Sequence, residues 1–111
     1  MRFPFYAVKG AVLLTFLTAP AYANQSYYNT IRNATIEQIG QYWLEDNRYD
    51  VIRMCRAGQK LNKKGLSYFD TTLSRENLLK MQRKTGHPYD VVKKNTEASH
   101  YAMYSVCPNV F

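Results

Sequence analysis

Apolar residues recur at every third or fourth position along most of this chain. No stretch after residue 23 alternates apolar and polar residues for long enough to predict a β-strand. The spacing predicts four helices, over about residues 27–45, 48–64, 72 or 74 to 84, and 87–106. We therefore expect an all-α fold, a small bundle of about four helices that forms a single domain over residues 24–111.

Residues that favour helix ends stand at the predicted boundaries, namely Asp46, Asn47, Gly65, Gly86, Pro88 and Pro108. Asp and Asn favour turns and helix starts, glycine favours helix ends, and proline is accepted in a first turn. Residues 66–73 are interpreted as a polar connection. In the first predicted helix, Ile31, Thr35 and Ile39 share one face.

The first 23 residues have the three-part pattern of a secretory signal peptide. Arg2 and Lys9 are positive, residues 11–19 form a short apolar run, and small residues precede a predicted cleavage site between Ala23 and Asn24. A transmembrane helix would need about 20 apolar residues, more than this run supplies. The pattern predicts export by a bacterium and a periplasmic location.

Export changes the interpretation of the two cysteines, Cys55 and Cys107. An even number of cysteines in a short exported chain predicts a disulfide framework, and two cysteines allow one intramolecular bridge. Both lie on the apolar stripes of their predicted helices, as a buried bridge requires. A free reactive thiol and a metal site are the alternatives, although His87 and His100 show no ligand spacing relative to either cysteine.

Positive charge is concentrated on one helix. The chain carries 15 lysines and arginines against 8 acidic residues, a net charge of +7. Five cations of the second predicted helix lie within an arc of about 100°, and we call them the basic face: Arg53, Arg56, Lys60, Lys63 and Lys64. The basic face is either an ordinary solvated surface or a binding surface for an acidic protein or an anionic membrane. Nucleic acid is an expected partner only in DNA transfer.

Catalytic motifs are missing from the sequence. It contains no phosphate-binding glycine loop, no zinc-binding H-E-x-x-H and no G-x-S-x-G nucleophile elbow. We predict no catalytic residue, no metal and no cofactor. His100 is interpreted as a partly buried structural histidine, with a general-base role as the alternative.

Tyrosine is abundant, with ten copies in the chain. Tyr101 is predicted to lie opposite the apolar stripe of the last helix, near Lys94. Exposed tyrosines beside cations are typical of protein interfaces. The other interpretation is that these rings cover a core too thin to enclose them.

The layout resembles that of small exported two-cysteine helical proteins of bacterial envelopes. The residues that carry this resemblance are the segments Ile52-Arg53-Met54-Cys55 and Tyr104-Ser105-Val106-Cys107-Pro108. In length, signal and cysteine layout, the chain is also similar to the small exported proteins encoded beside conjugation genes on IncN-type plasmids, which are linked to killing of Klebsiella hosts. The resemblance implies a plasmid-encoded accessory of conjugation or a toxic envelope protein.

We therefore expect an exported periplasmic binding protein that is not an enzyme and that acts in conjugative transfer or bacterial killing. One alternative is an immunity or inhibitor protein of a periplasmic toxin or enzyme. Another is a small secreted hydrolase, which would need a polar cleft lined by His100 and an acidic residue.

Overall fold

The computed structural model describes residues 21–111. This part of the chain consists of six α-helices and a final 3₁₀ turn, without a β-strand. The helices are α1 (Ala21–Asn33), α2 (Ile36–Asp46), α3 (Arg48–Lys63), α4 (Tyr68–Thr72), α5 (Arg75–Thr85) and α6 (Tyr89–Val106), and the 3₁₀ turn is Pro108–Val110. The all-α class is confirmed, but the predicted number of four helices is wrong.

The predicted signal peptide lies outside the described residues except for Ala21–Ala23, whose backbone belongs to the first turn of α1. Cleavage between Ala23 and Asn24 therefore stays a prediction. Within residues 21–111, no helix combines the length and the apolar character needed to cross a bilayer.

The first predicted helix is in fact two helices, because Thr35 starts a new one. Its hydroxyl accepts a hydrogen bond from the Gln38 backbone N–H at 3.0 Å, and the Gln38 side chain accepts one from the Thr35 N–H at 2.9 Å. This reciprocal arrangement is a capping box, which satisfies two backbone donors at a helix start. Thr35 is exposed and does not share the buried face of Ile31 and Ile39.

The predicted connection over residues 66–73 contains the short helix α4. Ser67 starts it, because its hydroxyl accepts a hydrogen bond from the Asp70 backbone N–H at 3.2 Å. The five residues of α4 are too few to show a helical repeat of apolar positions. This helix nevertheless matters, because it carries Phe69 and Thr72 to the side of α6.

The predicted bounds of α3, α5 and α6 agree with the structure to within a few residues. At the end of α3, Gly65 has φ +77°, its N–H bonds to the Asn62 carbonyl, and the Leu66 N–H bonds to the Leu61 carbonyl. These two bonds form a Schellman motif, which needs a residue with positive φ and therefore favours glycine. Ser74, one of the two predicted starts, caps α5, and Gly86 ends it as predicted.

Helix α6 is the centre of the fold, since α1, α2, α3, α5 and the 3₁₀ turn all pack against it. One group of buried residues joins α1, α2 and α6, and it includes Ile31, Ile39 and Val91. A second group joins α3, the end of α6 and the 3₁₀ turn. Trp43 packs against both groups, and its indole N–H donates to Asn95 at 3.2 Å.

The disulfide lies in the second group of buried residues. Cys55 and Cys107 are bonded, their Cα atoms are 6.1 Å apart, and both are at least nine-tenths buried. The bridge fastens the middle of α3 to the end of α6. The predicted pairing is therefore confirmed.

Helices α2 and α6 come close together at Gly40. A Cβ atom at this position would meet Cδ1 of Tyr101 and would lie only 3.1 Å from Cγ of the same ring. The ring of Tyr101 thus occupies the space that a side chain would need. This contact explains why a residue of low helix propensity lies in the middle of α2.

We expect Gly40→Ala to lower the free energy of unfolding, although alanine favours a helix by about 1 kcal/mol over glycine. The new methyl group would overpack against Tyr101, which typically costs about 1–3 kcal/mol. Urea unfolding measures the difference. In a Tyr101→Ala background the same substitution should become stabilising, and an equal loss in both backgrounds would contradict the proposed contact.

Candidate binding surfaces

The basic face lies along the exposed side of α3 and includes Lys64, the residue that follows its last turn, and all five of its residues are exposed. Arg56, Lys60, Lys63 and Lys64 make no ion pair with any residue of the described chain. Four positive charges on one helix side are therefore uncompensated. Such a surface attracts dense negative charge.

Arg53 differs from the other four cations. Its guanidinium lies 3.5 Å from the Asp50 carboxylate and 6.0 Å from the centroid of the Tyr49 ring. Asp50 is one turn earlier on α3, so an acidic residue does approach this end of the basic face. Because the pair is exposed to water, it contributes at most about 1 kcal/mol to stability.

Lys94, the cation predicted to lie near Tyr101, makes a structural contact. Its ammonium group donates to the Arg32 carbonyl oxygen at 2.7 Å, near the end of α1. The Arg32 side chain in turn pairs with Asp90 at 2.7 Å. These contacts tie α1 to α6, and Lys94 is therefore engaged within the fold.

A second surface is an open groove of about 670 Å³ beside α6. Its lining includes four exposed aromatic side chains, which expose 42% (Phe69), 37% (Tyr101), 63% (Tyr104) and 44% (Phe111) of their area. Glu97, His100 and two serines complete it. We call this surface the aromatic groove.

His100 is the buried member of the aromatic groove and exposes only 3% of its surface. The rings of Phe69, Tyr68 and Phe111 surround it, with centroids 4.9, 5.5 and 6.1 Å from that of the imidazole. The imidazole Nε2 lies 2.7 Å from the Thr72 hydroxyl oxygen. His100 therefore ties α6 to α4.

The hydrogen bonds around Thr72 indicate which nitrogen of His100 carries the proton. The Thr72 hydroxyl donates to the Tyr68 carbonyl oxygen at 2.9 Å, the usual bond of a helical threonine to the preceding turn. Since a hydroxyl has one hydrogen, its oxygen then accepts from Nε2–H of His100. The other nitrogen, Nδ1, is buried and lacks a partner among the described residues.

Burial lowers the pKa of the His100 imidazole from its usual 6.5 to about 4, because an apolar surrounding penalises the charged form. The side chain is thus neutral at pH 7. A base with so low a pKa, and with one nitrogen occupied and the other enclosed, is poorly suited to accept a proton from a substrate. The arrangement favours the structural interpretation of His100.

The rival hydrolase would need a polar cleft lined by His100 and an acidic residue. The aromatic groove contains His100 and Glu97, but most of its lining surface is apolar. In the described residues, no hydrogen bond joins Glu97 to His100, and no group of three or more His, Cys, Asp or Glu side chains could hold a metal ion. The absence of catalysis itself stays a prediction.

Comparisons of the chain with protein-family models, with curated proteins and with solved structures gave no match. Both surfaces are therefore interpreted from this chain alone.

The aromatic groove was not predicted from the sequence. Tyr101 was considered as an interface residue, but Phe69, Glu97 and Phe111 were not assigned to any site. These residues lie far apart in the chain and meet only after α4 and the 3₁₀ turn have folded against α6. The one usable signal was the pair Tyr101 and Tyr104, which lie outside the predicted apolar stripe of the last helix.

Proposed function

We propose that this chain is an exported periplasmic binding protein that acts without catalysis and attaches to an acidic partner through the basic face of α3. The observation that carries the proposal is the set of four exposed and uncompensated cations, Arg56, Lys60, Lys63 and Lys64. They recur along one side of a helix that the disulfide holds to α6. The partner is an acidic protein surface or the anionic headgroups of a membrane.

Electrostatics favour a surface rather than a small acidic ligand. Each lysine or arginine near an anionic membrane contributes about 1 kcal/mol of attraction, and this attraction decays within a Debye length of about 8 Å at physiological salt. A flat array of negative charges can reach several cations of α3 at once. Binding should therefore weaken steeply as the salt concentration rises.

We expect neutralisation of Arg56, Lys60 and Lys63 by glutamine to weaken binding to vesicles of phosphatidylglycerol and phosphatidylethanolamine by roughly tenfold or more. Co-sedimentation of the purified protein with these vesicles measures the change. The same variant tested against an immobilised acidic protein distinguishes the two kinds of partner. Circular dichroism and urea unfolding should be unchanged, because all three side chains are exposed.

The matched control is the neutralisation of Lys80, Arg83 and Lys84, three exposed cations of α5. It alters the net charge of the protein by the same amount. Equal losses of binding in the two variants would mean that net charge alone acts. Unchanged binding in both would mean that the basic face is only solvated.

The biological setting that we propose is conjugative transfer or the killing of bacterial hosts, and it rests on the resemblance in length, signal and cysteine layout. The genes that flank the coding sequence bear on it directly, since neighbouring conjugation genes support this setting. An adjacent toxin gene would argue for an immunity protein instead.

A further inference from the structure

The aromatic groove has a chemical character that the basic face does not share. None of its lining residues is a lysine or an arginine, although the chain has 15 of them. Among the described residues that line it, Glu97 is the only acidic one, and burial keeps His100 neutral at pH 7. A groove with negative charge is thus present on a protein that is positive overall.

The four aromatic rings add to this negative character. The face of an aromatic ring has a negative electrostatic potential and attracts cations, and clusters of such rings bind quaternary ammonium groups. Phe69 and Tyr104 each lie beside Phe111, with ring centroids 6.1 and 5.8 Å from it. These three rings therefore form one continuous aromatic wall, and Tyr101 lines the same groove.

Glu97 is placed to complete such a site. It lies one turn before Tyr101 on α6 and lines the groove while remaining partly buried. Within the described chain its carboxylate makes no hydrogen bond and no ion pair, so both oxygens are available to a ligand. A partly buried carboxylate interacts more strongly with a cation than one in bulk water.

We propose that the aromatic groove binds a small organic cation with apolar substituents, of the quaternary ammonium class. The cation contacts the rings of Phe69, Tyr101, Tyr104 and Phe111, and its charge is balanced by Glu97. The volume of about 670 Å³ is within the range of about 300–1,000 Å³ that is usual for small-molecule sites. A cation with apolar substituents is weakly hydrated, so it loses little hydration when it contacts the rings. A strongly hydrated ammonium ion would lose more hydration.

Choline and its neutral isostere 3,3-dimethylbutan-1-ol test this proposal, because they differ in charge and hardly in shape. We expect choline to bind and the alcohol to bind at least about tenfold more weakly, as measured by isothermal titration calorimetry. Amide chemical shifts in a ¹H–¹⁵N spectrum should move for residues of the groove. Equal affinities of the two compounds would overturn the proposal, as would shifts confined to another part of the protein.

Two pairs of matched variants separate the groove from the rest of the surface. Glu97→Gln and Tyr104→Ala should each weaken choline binding at least threefold, while Glu45→Gln and Tyr49→Ala, which change exposed residues outside the groove, should leave it unaltered. Unchanged binding in Glu97→Gln would contradict the role of its charge. If Tyr104→Ala lost its fold, Tyr104→Leu would remove the aromatic face and keep the apolar bulk.

The same cationic group could be presented by a lipid headgroup or by a free metabolite, and vesicles of phosphatidylcholine distinguish these sources. Binding to choline and to the vesicles supports a lipid ligand, binding to choline alone supports a free one, and binding to neither overturns the proposal. The variant that neutralises Arg56, Lys60 and Lys63 should bind choline normally. Failure of this proposal therefore leaves the proposed role of the basic face standing, and the reverse is also true.

Discussion

Removal of the disulfide should lower the free energy of unfolding by about 4 kcal/mol. This value follows from the entropy of closing a long loop, because Cys55 and Cys107 are 52 positions apart. A domain typically has a net stability of only about 5–15 kcal/mol, so the bridge supplies a large part of the total. In the reduced protein, α3 and the end of α6 are held together by the packing of buried residues such as Val51 and Met103.

Urea unfolding of the oxidised and the reduced wild-type protein measures this contribution with nearly the same side-chain atoms in place. The Cys55→Ala/Cys107→Ala variant is a second measurement, and it adds the cost of small cavities at two buried positions. The reduced chain should also show a larger dependence of stability on urea, because its unfolded state is less compact. Equal unfolding midpoints with and without reductant would show that the bridge contributes nothing.

In the periplasmic location that we propose, the same loss should appear as a lower steady-state level. An unfolding free energy reduced by several kcal/mol raises the unfolded fraction that periplasmic proteases can attack. A strain that cannot form periplasmic disulfides should therefore contain less of the protein than its parent. A protein without cysteines, expressed from the same vector and signal peptide, controls for effects on export.

The disulfide was predictable because two independent patterns agreed. Periodicity placed Cys55 and Cys107 on the apolar sides of α3 and α6, and the predicted export favoured a bridge between them. The bounds of these helices were predictable for a similar reason, since each has several turns of apolar repeat and a strong end signal such as Gly65. The positions of long, amphipathic helices can therefore be predicted from their apolar repeat.

Two short features of the fold, the break before α2 and the helix α4, were not predicted. The break before α2 was missed because the apolar repeat continues in register through Thr35, although Thr35 and Gln38 carry the spacing of a capping box. The helix α4 has too few residues for any periodic signal, and only Ser67 marked its start. In both cases the local hydrogen bond of a capping side chain decided the structure, whereas hydrophobic periodicity did not.

The basic face and the aromatic groove also differ in how well the sequence predicts them. The cations of α3 are close in sequence, so helical geometry alone places them on one side. The groove depends on how α4 and the 3₁₀ turn pack beside α6, and no spacing along the chain encodes the approach of Phe69 to Phe111. Sites made from a single helix can be predicted from the sequence, but sites made by tertiary packing cannot.

Acid should destabilise this protein through His100, by about 3 kcal/mol between pH 7 and pH 4. The imidazole has a pKa of about 4 in the folded state, against a usual value of 6.5, because it is enclosed by aromatic rings. Between these two pH values, His100 binds a proton in the unfolded chain but stays neutral in the folded protein. The stability that depends on neutral His100 is therefore complete above pH 6.5 and is lost as the pH falls towards 4.

The variant His100→Phe isolates this effect. Phenylalanine has a similar size and suits the aromatic surroundings, and the Thr72 hydroxyl keeps its bond to the Tyr68 carbonyl. Urea unfolding at a series of pH values should show a much flatter profile between pH 6.5 and 4 for this variant. A profile as steep as that of the wild type would assign the acid sensitivity to other groups.

Two further groups, His87 and Asp90, determine how the stability of the His100→Phe variant should depend on pH. Burial also lowers the pKa of His87, so its protonation destabilises the folded state in the same direction, and His87→Gln serves as the control for its share. The pKa of Asp90 is lowered by its bond to Arg32, so the stability of that pair is present above pH 3.8 and is lost only at lower pH. The His100→Phe protein should thus retain the acid transition below about pH 4 and lose most of the slope above it. This separation assigns most of the loss of stability between pH 6.5 and 4 to His100, the side chain of the aromatic groove that joins α6 to α4.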